Sequence, residues 1–199
     1  DAPRPPEDRR ELRESWSLSA TGMEMLDDCG LRFMYDKVLH LSPFEANEQA
    51  AFGTAMHAGI AGWLAANEHP DRDLLHARML ERYEETVLPV LPSPSLDGPF
   101  RRKLDRIAST TAGWFATGII GDPVLIEADL DEIHSDGVAI RSRVDLVARN
   151  SDGIEIIDWK TGSNNGVSVR GSRQLRTYFW LVRRALPDEA VTKLRLGFV

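Results

Sequence analysis

The nine residues Ile154–Gly162, IEIIDWKTG, constrain the fold of this chain more than any other stretch. Alternate residues of a strand point to one face. Ile154, Ile156, Asp158 and Lys160 therefore share a side, and an apolar row ends in an acid and an amine. Burying a carboxylate or an ammonium costs several kcal/mol unless each finds a partner. A core strand with this ending calls for either a structural ion pair or a site that uses both charges.

The preceding segment decides between them. Residues 138–149, VAIRSRVDLVAR, also read as a strand, and NSDG at 150–153 turns the chain back into IEIIDWK. With Asn150 to Gly153 as a four-residue loop, Arg149 faces Ile154 and Asp145 falls opposite Asp158. With Asp152-Gly153 as a two-residue loop, Asp145 faces Lys160 instead. Either register gathers Asp145, Asp158 and Lys160 within one pairing step. Facing carboxylates repel and call for a cation between them. Two carboxylates with water and phosphate oxygens form a hard oxygen site of the kind Mg²⁺ or Mn²⁺ prefers. A lysine beside it can hold or help deprotonate an attacking water, or neutralise charge developing on phosphorus.

Around this hairpin the hydrophobic period sets the remaining elements. A helix opens at Thr21-Gly22-Met23-Glu24, which fits a capping box, and runs towards Cys29. Phe52, Met56, Ile60, Trp63 and Leu64 place a helix at about 47–66; Leu74, Leu75, Met79, Leu80, Tyr83 and Val87 mark a third. A proline-rich loop covers 88–99, and Leu104, Ile107, Ala108, Thr111, Trp114 and Phe115 give a fourth helix. The period then shortens: 123–134 reads as a strand with a turn at Asp136-Gly137, before the hairpin described above. Gln174–Leu186 is helical, with Leu175, Phe179 and Val182 on one face, and 192–199 alternates as a last strand. The predicted fold is α+β: a helical N-terminal half, then an αβββαβ core with a central mixed sheet flanked by helices.

With 199 residues the chain suits one domain. No apolar run approaches a membrane span and no signal peptide opens the sequence, so a cytoplasmic protein without membrane contact is expected. Residues 1–15, rich in proline and charge, read as a linker or tail, and the start without Met suggests a fragment of a longer protein. Net charge is -7 but unevenly spread. Between Ala139 and Arg184 nine basic residues stand against four acids, which leaves the remainder at -12. A basic region in an acidic chain keeps a nucleic-acid partner open.

Asp145 followed by Asp158-Trp159-Lys160-Thr161-Gly162 after a hairpin resembles the PD-(D/E)xK nuclease superfamily, and within it the RecB-like or AddB-like exonuclease branch with its "GRxD" and "DYKTG" strings. Here Ser142 replaces the usual glycine and Trp159 the usual tyrosine. Gly53-Thr54-Ala55-Met56-His57 matches a "GxxxH" helix, Gln174–Tyr178 a "QxxxY" helix, and Leu18–Thr21 with Cys29–Tyr35 an opening "SxS…CPxxFxY" segment. The ordered set covers about residues 16–199, which the resemblance marks as the nuclease domain.

The resemblance implies a restriction-endonuclease-like fold and a divalent-metal-dependent DNA nuclease acting as an exonuclease in recombination and repair, with a helicase domain or subunit as partner. It makes Asp145 and Asp158 ligands of Mg²⁺ or Mn²⁺, with His57 and the Trp159 carbonyl beside them. Lys160 would position or activate water, and Gln174 and Tyr178 would steady Lys160 or the strand being cut. Relatives often carry an acid at the position of Glu127. Arg143 could contact phosphate or only balance Asp145. Some relatives hold a [4Fe–4S] cluster on four cysteines; Cys29 is alone, so no cluster can form within these residues, and it is expected to be a free buried thiol. Two other functions fit: a catalytically inactive nuclease-fold module that binds nucleic acid, and a hydrolase acting on RNA or a small phosphoester.

Overall fold

The computed structural model describes residues 17–41, 47–134, 137–162, 168–169 and 171–198. The expected tail at 1–15, Asp136 of the first turn, Arg170 and Val199 lie outside these residues.

Helix α1 (Ala20–Asp28) leads through α2 (Gly30–Phe33) into a π turn at Met34–Val38. Helices α3 (Glu48–Ala65), α4 (Arg72–Thr86) and α5 (Asp97–Ala116) follow. Strands β2 (Asp122–Ile133), β3 (Ala139–Asn150) and β4 (Gly153–Lys160) run antiparallel in succession. Helix α6 (Arg173–Ala185) then crosses over to β5 (Val191–Phe198), which lies parallel to β4. A two-residue strand β1 (Ser17–Leu18) pairs in parallel with Ala139 and Ile140 of β3. The result is a five-stranded mixed sheet flanked by helices.

The sheet separates two apolar layers. Leu146, Ala148, Ile157 and Trp159 pack with Phe52, Met56, Trp63, Met79, Tyr83 and Leu104 of α3–α5. Val144, Val147, Ile154 and Ile156 pack with Leu175, Tyr178 and Val182 of α6. Ile154 and Ile156 thus share the α6 face, as strand alternation predicts. Where α3 crosses α4 the backbones meet at Gly59, where a Cβ would stand 2.9 Å from Met79 Cα.

Three local expectations need correction. The N-cap of α1 is Ser19, not Thr21: Ser19 is extended and its Oγ accepts the Gly22 N–H over 3.1 Å, so the helix starts at Ala20. The proline-rich loop ends at Leu96, because a proline in the first turn has no N–H to lose; Asp97, Gly98 and Pro99 open α5. Cys29 is exposed rather than buried, since it is the extended junction between α1 and α2.

Candidate active site

The hairpin takes the first of the two registers. Arg149 pairs with Ile154 and Leu146 with Ile157, around a turn at Ser151-Asp152. Continued by one residue this register sets Asp145 across from Asp158, but the ladder stops at Leu146. There the Trp159 N–H donates to Asp145 Oδ2 over 2.7 Å. A side chain thus takes the place of a backbone acceptor where the strands part. On the other edge of β3, Ile126 pairs with Leu146 and Ala128 with Val144, which puts Glu127 across from Asp145 outside the ladder. Glu127 has a φ of 44°, a left-handed backbone uncommon for a side-chain-bearing residue and concentrated at functional sites. Three acids from three neighbouring strands therefore stand in one row, at a point where both ladders around Asp145 are interrupted.

His57 reaches the row from α3. Its Nδ1 lies 3.2 Å from Glu127 Oε1 and 3.7 Å from Asp145 Oδ2. One ligand atom from each of His57, Glu127 and Asp145 lies within 4.8 Å of the other two. Asp158 forms the floor, with its side chain 1% exposed. Lys160 Nζ lies 2.8 Å from Asp158 Oδ2.

A polar circuit runs from this lysine. Lys160 Nζ donates to Gln174 Oε1 at 2.8 Å, Gln174 Nε2 to the Tyr178 hydroxyl at 2.7 Å, and that hydroxyl to Asp145 Oδ1 at 3.4 Å. Residues 174 and 178 share a helix face four apart, and Ser172 caps the helix by accepting the Leu175 N–H.

The charges follow from burial. Burial pushes Asp145 up to about 7, opposed by the charge of His57 and reinforced by Asp158. Burial likewise raises Asp158, against the pull of Lys160. Burial would lower His57, but its hydrogen bond to Glu127 and the charge of Asp145 outweigh that and hold it above its ordinary value. Tyr178 is raised, first by burial and then by Asp145 and Asp158, so it remains a neutral donor.

A divalent cation fits this arrangement. Burial raises both carboxylates for want of positive charge, and the His57 imidazole leans into the row. Oxygen and imidazole donors of this kind suit Mg²⁺ or Mn²⁺. Beside the acids opens a cleft of about 410 Å³ lined by Ser17, Ser19, Thr21, Ser142, Gln174 and Tyr178 among others.

The model of the PD-(D/E)XK nuclease superfamily matches residues 17–198. The chain belongs to that superfamily. Its members are generally metal-dependent nucleases, so a PD-(D/E)XK chain implies a nucleic-acid substrate and a divalent metal. No curated protein matches the chain. No described helix is long and apolar enough to cross a membrane.

Of the residues singled out from the sequence, Asp145, Asp158, Lys160, Gln174, Tyr178, His57 and Glu127 come together in this PD-(D/E)XK site. Trp159 contributes its N–H to Asp145, and its ring stacks on Trp114 with centroids 6.1 Å apart. Arg143 lies elsewhere: it forks onto Asp129 at 2.9 and 2.7 Å and faces solvent, on the rim of the cleft. The residue pattern alone did not set Glu127 apart from Asp129 and Asp131; the resemblance pointed to it, and the strand register puts it across from Asp145. Ser19, Thr21 and Ser142 of the cleft's hydroxyl lining lie in stretches the resemblance had marked, but that they line one cleft was not legible, since β1 and α1 bring them to β3 across more than a hundred residues.

Proposed function

We propose that this protein is a metal-dependent DNA nuclease of the RecB-like branch, acting as an exonuclease in recombination or repair on strands delivered by a helicase. The observation that carries the nuclease reading is the row Glu127–Asp145–Asp158 with His57 at one end and Lys160 at the other. The ordered motifs Gly53–His57, Ser142–Asp145, Asp158–Gly162 and Gln174–Tyr178 support the branch.

His57, Glu127, Asp145 and Asp158 would hold Mg²⁺ or Mn²⁺, with the Trp159 carbonyl as a further donor. Bound there, the ion supplies Lewis-acid stabilisation of phosphoryl charge and an acidified water. Lys160 holds an ammonium beside the acids, where it can orient a water or neutralise charge on the phosphate. Gln174 fixes Lys160 through its Oε1, and Tyr178 fixes the Gln174 amide by accepting from its Nε2. The Trp159 N–H and the Tyr178 hydroxyl hold the two oxygens of Asp145.

The test compares cleavage of single-stranded DNA, duplex DNA and RNA with Mg²⁺ and with Mn²⁺. Asp158→Ala and Lys160→Ala should each reduce DNA cutting at least a hundredfold, by roughly 3 kcal/mol or more of lost transition-state stabilisation, in protein that still folds. Cutting at the wild-type rate by both variants would remove the mechanism. Cleavage confined to RNA would remove the assignment to DNA.

A further inference from the structure

The basic segment between Ala139 and Arg184 has mostly been neutralised by folding. Arg141 lies near Asp131, Arg143 forks onto Asp129, Arg149 meets Glu189, Lys160 meets Asp158 and Arg173 meets Asp27. Among the described residues of that segment, Arg176, Arg183 and Arg184 have no carboxylate partner, and all three sit on α6. They occupy the side of the helix away from Leu175, Tyr178 and Val182, which are buried. Aromatic rings are interleaved with them: the Arg184 guanidinium lies 3.8 Å from the Trp180 ring centroid and that of Arg183 5.6 Å from Phe179. Between α6, α1 and β3 lies a cavity of about 260 Å³, lined by Met23, His134, Ile140, Arg176, Thr177 and Trp180. The His134 and Trp180 rings are 6.0 Å apart.

Guanidinium groups without a carboxylate partner, one of them donating to the Trp180 carbonyl over 3.4 Å, beside an aromatic ring and an apolar slot match the two parts of a nucleotide. A solvated charged face needs the arginines but neither Trp180 nor the slot. Trp180 follows Gln174 by six residues, about 9 Å along the helix axis, and its slot and the cleft beside the acids are both lined by α1 and α6.

We propose that the outer face of α6 binds single-stranded nucleic acid next to the reacting phosphate, with Trp180 stacking one base and Arg176, Arg183 and Arg184 taking the flanking phosphates. The proposal rests on the nuclease reading of the neighbouring acids.

The test measures binding of a short fluorescent oligodeoxythymidylate by the whole chain, with Ca²⁺ as the only divalent ion. Trp180→Leu should weaken binding about tenfold, within a range of roughly fivefold to a hundredfold. Arg176→Gln and Arg184→Gln should each flatten the slope of log affinity against log salt by about 0.7. An abasic residue moved along the strand should reproduce the Trp180→Leu loss at one position, where Trp180→Leu loses nothing more. Oligouridylate forms a second arm; the strand whose affinity falls in Trp180→Leu is the one this face holds.

Unchanged affinity for both strands in folded variants overturns the proposal, as does an abasic loss equal at every position. A polyglutamate peptide that binds as tightly as the strand would assign the face to an acidic protein and also overturn it. Wild-type protein that binds strands through Trp180 but cuts none removes the nuclease reading and leaves the face standing. Wild-type protein that cuts, beside Trp180→Leu that binds unchanged, removes the face alone.

Discussion

Strand β4 carries two kinds of buried acid, and the contrast explains what the site is for. Glu155 is neutralised from β5 by Arg195 and by Lys193, at 3.7 Å for the latter. Asp158, three residues on, shares one lysine with Gln174 and faces a second buried acid. Unrelieved burial raises Asp145 to about 7 and raises Asp158 as well, so both bind protons more tightly folded than unfolded. Stability from such groups is complete below the unfolded carboxylate value near 4 and is lost as pH rises through about 7. Metal-free protein should therefore melt at lower temperature at pH 8 than at pH 5. Asp145→Asn removes one charge and keeps an oxygen for the Trp159 N–H. It should gain about 1–2 kcal/mol at pH 8 in EDTA, roughly 2–8 °C in Tm, and lose most of the stabilisation that Mg²⁺ or Mn²⁺ gives the wild type. Melting curves across pH, with and without metal, check this. Equal pH slopes for variant and wild type would show that Asp145 is not the strained acid.

At the scale of elements, the hairpin was legible because its period, its turn residues and its charged ending all agreed. Its two registers were left open by the sequence, and the structure takes the one in which Asn150 pairs with Gly153 across the turn. Periodicity did not separate Glu127 from its acidic neighbours; the resemblance pointed to it, and its place is defined by Asp145 on another strand. Strand β1 has two residues and owes its existence to Ala139 and Ile140 of β3, so no local pattern could reveal it. His57 stood on a helix readable from Phe52, Met56 and Ile60, but its role depended on resemblance until the sheet placed acids under it. The position of that helix hinges on Gly59. A Cβ there would stand 2.8 Å from Met79 Cγ and 2.9 Å from its Cα, and backbone cannot swing aside. Gly59→Ala should cost about 1–3 kcal/mol through overpacking and weaken metal binding by shifting His57, two residues away. Gly113 of α5 has nothing within 4 Å of its added Cβ. Gly113→Ala should instead gain about 0.5–1 kcal/mol from helix propensity. Denaturant melts of the pair check the argument, and equal effects would refute the close crossing.

Across the whole molecule, charge separates the places where a polyanion can approach from the chemistry it needs. The chain carries -7 overall, with a pI near 5.3, and the acid row concentrates negative charge where a phosphate must arrive. Without a divalent ion, that row repels the strand that the outer face of α6 attracts. Interactions of this kind extend about a Debye length, near 10 Å at 0.1 M salt, comparable to the distance from Gln174 to Trp180 along the helix. Strand affinity should therefore be weak in EDTA and rise at least tenfold with Ca²⁺, well beyond the change that an equal ionic strength of Na⁺ produces. Replacing both buried acids, as Asp145→Asn with Asp158→Asn, should remove the repulsion and the metal requirement together. The double variant should bind an oligonucleotide in EDTA more tightly than wild type does, while Ca²⁺ should no longer improve it. Fluorescence anisotropy in the two buffers reads both effects at once. If the double variant binds no better than wild type in EDTA, the negative charge that governs approach lies elsewhere on the acidic surface, and the acid row acts on the reacting phosphate alone.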